Sequence, residues 1–71
     1  MIPSKEEIRK IKDDYPTGCR VILDYMNDVN APPVGTKGTV LGVDSIGSIV
    51  VNWDGGKMLN VVYGIDSCHC I

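Results

Sequence analysis

The stretch Gly38-Thr39-Val40-Leu41-Gly42-Val43-Asp44-Ser45-Ile46-Gly47-Ser48-Ile49-Val50-Val51-Asn52-Trp53-Asp54-Gly55-Gly56 decides the fold. Gly38 to Val43 and Ser48 to Trp53 are short runs rich in β-branched residues. Alternation at period two sends every second side chain to the same sheet face, so Ile49, Val51 and Trp53 share one. Asp44 to Gly47 between the runs is a four-residue turn. Asp54-Gly55-Gly56 is a tight hairpin signal leading into a further strand, Lys57 to Val62. Strands joined by connections this short are antiparallel.

The same pattern continues outward on both sides. Tyr63 to Asp66 reads as a turn and Ser67 to Ile71 as a closing fifth strand. Upstream, Cys19 to Tyr25 alternates with Val21, Leu23 and Tyr25 on one face. The loop Met26 to Thr36 follows, carrying Asn27, Asp28, Asn30, Pro32, Pro33 and Gly35. The first residues differ in kind. Ser4 and Glu7 form a capping box, and Ile8, Ile11 and Tyr15 recur at helical spacing. Pro16 pushes Tyr15 out of the helical region, so this helix ends near Asp13 or Asp14. Ten helical residues are marginal alone, so the Ile8/Ile11 face must dock. The expected architecture is mainly β: a small antiparallel barrel of four to five strands with a short N-terminal α-helix. It forms one domain over 1–71, with the helix at 4–14 and the barrel at 17–71. A meander this short best avoids exposed edges by curling into a barrel. The alternative is an open sheet with the helix on one face. The expected core is Ile8, Ile11, Val21, Leu23, Val40, Val43, Ile49, Val51, Leu59, Val61 and Ile65.

Composition narrows the function. The chain has 71 residues, 44% of them hydrophobic, no Phe and one Trp. A chain of this size has little room for both a stable core and a deep, water-excluding active site. No apolar run approaches the length of a membrane span, and Met1 to Glu7 has no apolar signal-peptide region. The net charge of −2 argues against indiscriminate binding to phosphate backbones. Charge is nevertheless uneven: residues 1–12 carry four bases against two acids, and residues 13–71 three bases against seven acids. Three cysteines cannot complete a disulfide set, so a reduced, cytoplasmic protein is expected.

Gly35-Thr36-Lys37-Gly38-Thr39-Val40, Gly42-Val43-Asp44, Ile46-Gly47-Ser48-Ile49 and Val51-Asn52-Trp53-Asp54-Gly55-Gly56 resemble an SH3-like barrel. With the opening Met-Ile-Pro-Ser-Lys-Glu-Glu-Ile helix, Tyr15-Pro16-Thr17-Gly18 and Gly64-Ile65-Asp66, the whole chain resembles a small family of bacterial and phage domains of unknown function. That resemblance implies an SH3-like fold and no particular activity; Cys68-His69-Cys70 lies outside its motifs. Gly35-x-x-Gly38-x-Val40 is also similar to the motif opening KOW-type modules of ribosomal and transcription proteins. Read bottom-up, the same glycines permit a tight entry from loop to strand.

Chemistry-bearing sets are few. Cys19, Cys68, His69 and Cys70 are the one metal-like group, but an extended strand turns His69 away from Cys68 and Cys70. Ordinary reduced thiols are expected, with no metal and no cofactor. If the first and last strands are neighbours, Cys19 approaches Cys68 or Cys70, and a three-thiolate site or an adventitious disulfide is conceivable. His69, the only histidine, faces away from both neighbouring cysteines and supplies no oriented base, and the glycines do not form a phosphate loop. A non-enzymatic binding or adaptor module is therefore expected. The first reading is recognition of a protein or peptide through Tyr25, Trp53 and Tyr63 at one barrel end, with Trp53 alternatively packing inside. The second is weak nucleic-acid or ribosome association through Lys5, Arg9 and Lys12, one stripe of the helix, joined by Lys37. The third is a homo-oligomeric structural protein paired through a strand edge. No membrane partner is expected, and the chain is a monomer or homodimer.

Overall fold

A computed structural model describes residues 2–71. Helix α1 spans Lys5–Asp14, and the strands are β1 (Arg20–Tyr25), β2 (Lys37–Val43), β3 (Ile49–Trp53), β4 (Lys57–Val61) and β5 (Ser67–Cys70). The capping box forms as read: Glu7 N–H donates to Ser4 Oγ, and Ser4 N–H donates to Glu7 Oε1, each at 3.1 Å. At the other end Tyr15 N–H still reaches Ile11 C=O at 2.8 Å, and Pro16 then ends the helix. Among the described residues no helix is long and apolar enough to cross a membrane.

The five strands form one antiparallel sheet in the order β4-β3-β2-β1-β5. Its inner face carries Val21 and Leu23 from β1, Val40 from β2, and Ile49, Val51 and Trp53 from β3. Val61 from β4 and Cys68 from β5 complete it. Irregular register at Leu23/Tyr25 and at Val40/Gly42 marks bulges in β1 and β2, which bend a sheet.

Expectations change at four points. The closed barrel is not formed: β4 and β5 are both edges and do not pair with each other. They are five and four residues long, and α1 lies over the gap between them instead. Ile65 is not core. It is 54% exposed, because the turn that carries it folds back on Asp66, whose carboxylate accepts Val62 N–H at 2.9 Å. Ile8 is only half-buried, beside Gly47 rather than in the main cluster. Cys68, outside the expected core, is buried in it.

Trp53 is the largest fully buried side chain, 1% exposed. It fits because Gly38 stands opposite it in the β2–β3 register. A Cβ on Gly38 would come within 2.6 Å of Val51 Cγ1 and 2.8 Å of Trp53 Cε3. Gly42, in the same strand, has open space at the equivalent position and no positive φ. Gly38→Ala is therefore expected to cost about 2 kcal/mol by overpacking, and Gly42→Ala less than about 0.5 kcal/mol. Urea denaturation of the two variants checks this; equal effects would show that Trp53 is not packed on the backbone.

Candidate functional site

The gap between β4 and β5 holds a cavity of about 190 Å³. Ile11 and Tyr15 roof it from α1 and the residue beyond, Ile49 and Val61 come from β3 and β4, and Cys68 comes from β5. Val62, Tyr63 and Asp66, in the turn joining the two edges, close its side. The polar side chains of Tyr15, Tyr63 and Asp66 around it are already engaged. Tyr15 hydroxyl donates to Cys68 C=O at 2.9 Å, tying the end of α1 to β5. Tyr63 hydroxyl donates to Glu7 Oε2, tying the turn after β4 to the start of α1. Asp66 accepts Asn27 N–H and Val62 N–H, each at 2.9 Å. What the cavity offers is apolar surface. Burial pushes the Tyr15 hydroxyl up from its ordinary pKa, so it stays a protonated donor.

The three expected aromatic contacts do not form one surface. Trp53 is a pillar of the core, its ring N–H donating to Leu59 C=O at 3.1 Å, and it presents nothing to a partner. Tyr25 is 52% exposed at the end of β1. Tyr63 is half-buried at the cavity mouth. Ile11, Tyr15 and Cys68 line the cavity although none is among the expected site residues; the Ile8/Ile11/Tyr15 stripe signals the first two, but packing explains that stripe equally well.

Lys5, Arg9 and Lys12 do come together, lining a shallow groove of about 250 Å³ with Ile8 on the neighbouring side of α1. Lys37 does not join them. It begins β2 at the end where Asp54 N–H bonds to its carbonyl, whereas α1 sits near Gly47, beyond the far end of β2. Six residue steps of strand, about 20 Å, separate the two ends of β2. The Lys37 end instead carries an exposed Arg20–Asp54 pair, bidentate at 2.9 and 2.6 Å. That pair holds the Asp54 carboxyl below its ordinary range, chiefly through the Arg20 hydrogen bonds.

His69 Nδ1 meets both carboxylate oxygens of Asp24 at 2.8–2.9 Å, on the outer face of the β1–β5 pair. Cys19 and Cys70 lie on the other side with their sulfurs 3.7 Å apart. Cys68 is buried, and burial pushes its thiol up to about 12, with Asp24 adding to the shift. Among the described residues no group of three or more His, Cys, Asp or Glu side chains is placed to hold a metal ion.

The Tyr63–Glu7 contact makes the site's edge sensitive to acid. The Tyr63 hydroxyl, followed by Ser4 N–H, holds the Glu7 carboxyl below its ordinary pKa. A depressed folded-state pKa stabilises above the unfolded value and is lost as pH falls through the folded one. Clamping of α1 by Glu7 is thus present at neutral pH and released in acid, below the usual glutamate range. Tyr63→Phe is expected to raise the Glu7 pKa toward its ordinary value, read by NMR titration of the Glu7 side chain. An unchanged pKa would show that Ser4 alone sets it.

No curated protein matches the chain. A family model does, over residues 4–71, and its description is a domain of unknown function, DUF4314. With helix, sheet and cavity all inside the matched span, the chain belongs to the DUF4314 family.

Proposed function

We propose that this domain is a non-enzymatic binding module of SH3-like type. Its ligand is an extended protein segment that seats an apolar side chain in the cavity between β4 and β5. The carrying observation is the cavity itself: mainly apolar, at an unpaired sheet edge, with the side chains of Tyr15, Tyr63 and Asp66 already engaged inside the chain. Size supports a side chain over a free small molecule. Ligand pockets run from about 300 Å³ upward, whereas about 150 Å³ is enough for one benzene-sized group. The unpaired edges of β4 and β5 supply backbone donors and acceptors on which a segment can add as a strand. Adjacency of β1 and β5, the first and last strands, supports the SH3-like reading.

A second reading rests on Lys5, Arg9 and Lys12 sharing one groove, which suits phosphate contacts on nucleic acid. The net charge of −2 and the distance to Lys37 weigh against it. The basic groove flanks the same apolar stripe, so a protein segment with acidic residues beside its apolar anchor matches both features.

Capped extended peptides carrying one bulky apolar residue beside acidic ones are expected to shift the backbone NMR signals of Ile11, Val62, Tyr63 and Cys68. Val62→Asp, which places a charge on an exposed part of the lining, is expected to weaken that binding about tenfold or more. Shifts confined to Lys5, Arg9 and Lys12 on adding mixed RNA and DNA, with none from the peptides, would replace the peptide reading with the nucleic-acid one.

A further inference from the structure

We infer that Cys19 and Cys70 are a reversible dithiol–disulfide pair that staples the last strand to the segment entering β1. Their sulfurs are 3.7 Å apart although 51 positions separate them in the chain. The backbone on both sides is fixed. Val40 N–H donates to Cys19 C=O at 2.9 Å, Val21 stands opposite Cys70, and Ile71 N–H donates to Arg20 C=O at 3.1 Å. An S–S bond is about 2.0 Å long, so the sulfurs must close by about 1.7 Å, a movement two χ1 rotations can share.

The three thiols have different standing. Cys70 is exposed, Cys19 is half-buried behind it, and Cys68 is in the core. Burial keeps Cys68 out of exchange, its thiol pushed up to about 12; burial also raises the Cys19 thiol, which therefore reacts second, on the neighbouring Cys70 sulfur. The oxidant is a low-molecular-weight disulfide. Cys70 thiolate attacks one of its sulfurs, the small disulfide bond breaks, one small thiol leaves, and a mixed disulfide forms on Cys70. Cys19 thiolate then attacks Cys70 Sγ, and the second small thiol leaves. The protein has lost two electrons and two protons to the small disulfide, which is reduced to two thiols; excess small thiol reverses both steps.

Oxidation changes two contacts at once. It ties β5 covalently to the lead of β1. It also removes the thiol proton with which Cys70 donates to Asp14 C=O at 3.3 Å, in the last turn of α1. The ring so closed runs from residue 19 to residue 70, and long rings restrict the unfolded chain most.

Incubating the full chain with oxidised glutathione at neutral pH tests this. The free-thiol count is expected to fall from three to one and the mass by two hydrogens, with a Cys19–Cys70 link in non-reducing peptide maps and Tm raised by about 10 °C. Cys68→Ser is expected to behave in the same way, whereas Cys19→Ser stops at a glutathione adduct on Cys70. Three persistent thiols, a link through Cys68, or disulfide-bonded chain dimers would each overturn the inference.

Discussion

The structure depends on the seating of α1 over the gap between β4 and β5. Strands of four to seven residues make a sheet with eight buried side chains, and that sheet ends in two unpaired edges rather than closing. Ile11 and Tyr15 cover the opening, and two phenol hydroxyls fasten the cover from opposite ends, Tyr15 to β5 and Tyr63 to Glu7. The helix buries none of its own residues fully, so its contribution is partial burial plus these tethers. A ten-residue helix is marginal alone, and an unpaired edge is open to pairing with other chains; each compensates for the other's weakness.

The same arrangement links fold to proposed function. A cover held by partial burial and two exposed or half-exposed hydrogen bonds belongs to the low-stability part of a structure, where binding regions are usually found. The inner sheet is held differently, by Trp53 lying on Gly38 and by Val21, Val40 and Val51, all fully buried. The molecule therefore combines a tightly packed β1–β3 centre with an adjustable seam. Cys70 touches both, since its thiol meets Cys19 at the head of β1 and the carbonyl of Asp14 in α1.

Much of this was legible in the residues. Ser4, Glu7 and Pro16 bound the helix because caps and proline act locally. The strands followed from alternation and from turn glycines, four of which adopt positive φ in the loops between strands β2 and β5. What was not legible depends on distant partners. Trp53 reads as plug or as exposed platform until Gly38 is known to stand opposite it. Ile65 looks like a closing core residue, yet Asp66 turns the chain so that it faces solvent. Lys37 looks like a companion to the helix lysines because sequence carries no information about which end of β2 the helix meets. The missing closure is not legible for the same reason: edge pairing is a long-range property.

Hydrogen exchange on Ile11→Ala, compared with the unaltered chain, tests the central claim most directly. If the helix is the cover of the seam, exchange speeds up in α1, along β4 and β5, and in the Val62–Asp66 turn. The amides shared by β1, β2 and β3 keep their protection. Uniform acceleration through all five strands, or acceleration limited to α1, would contradict the account.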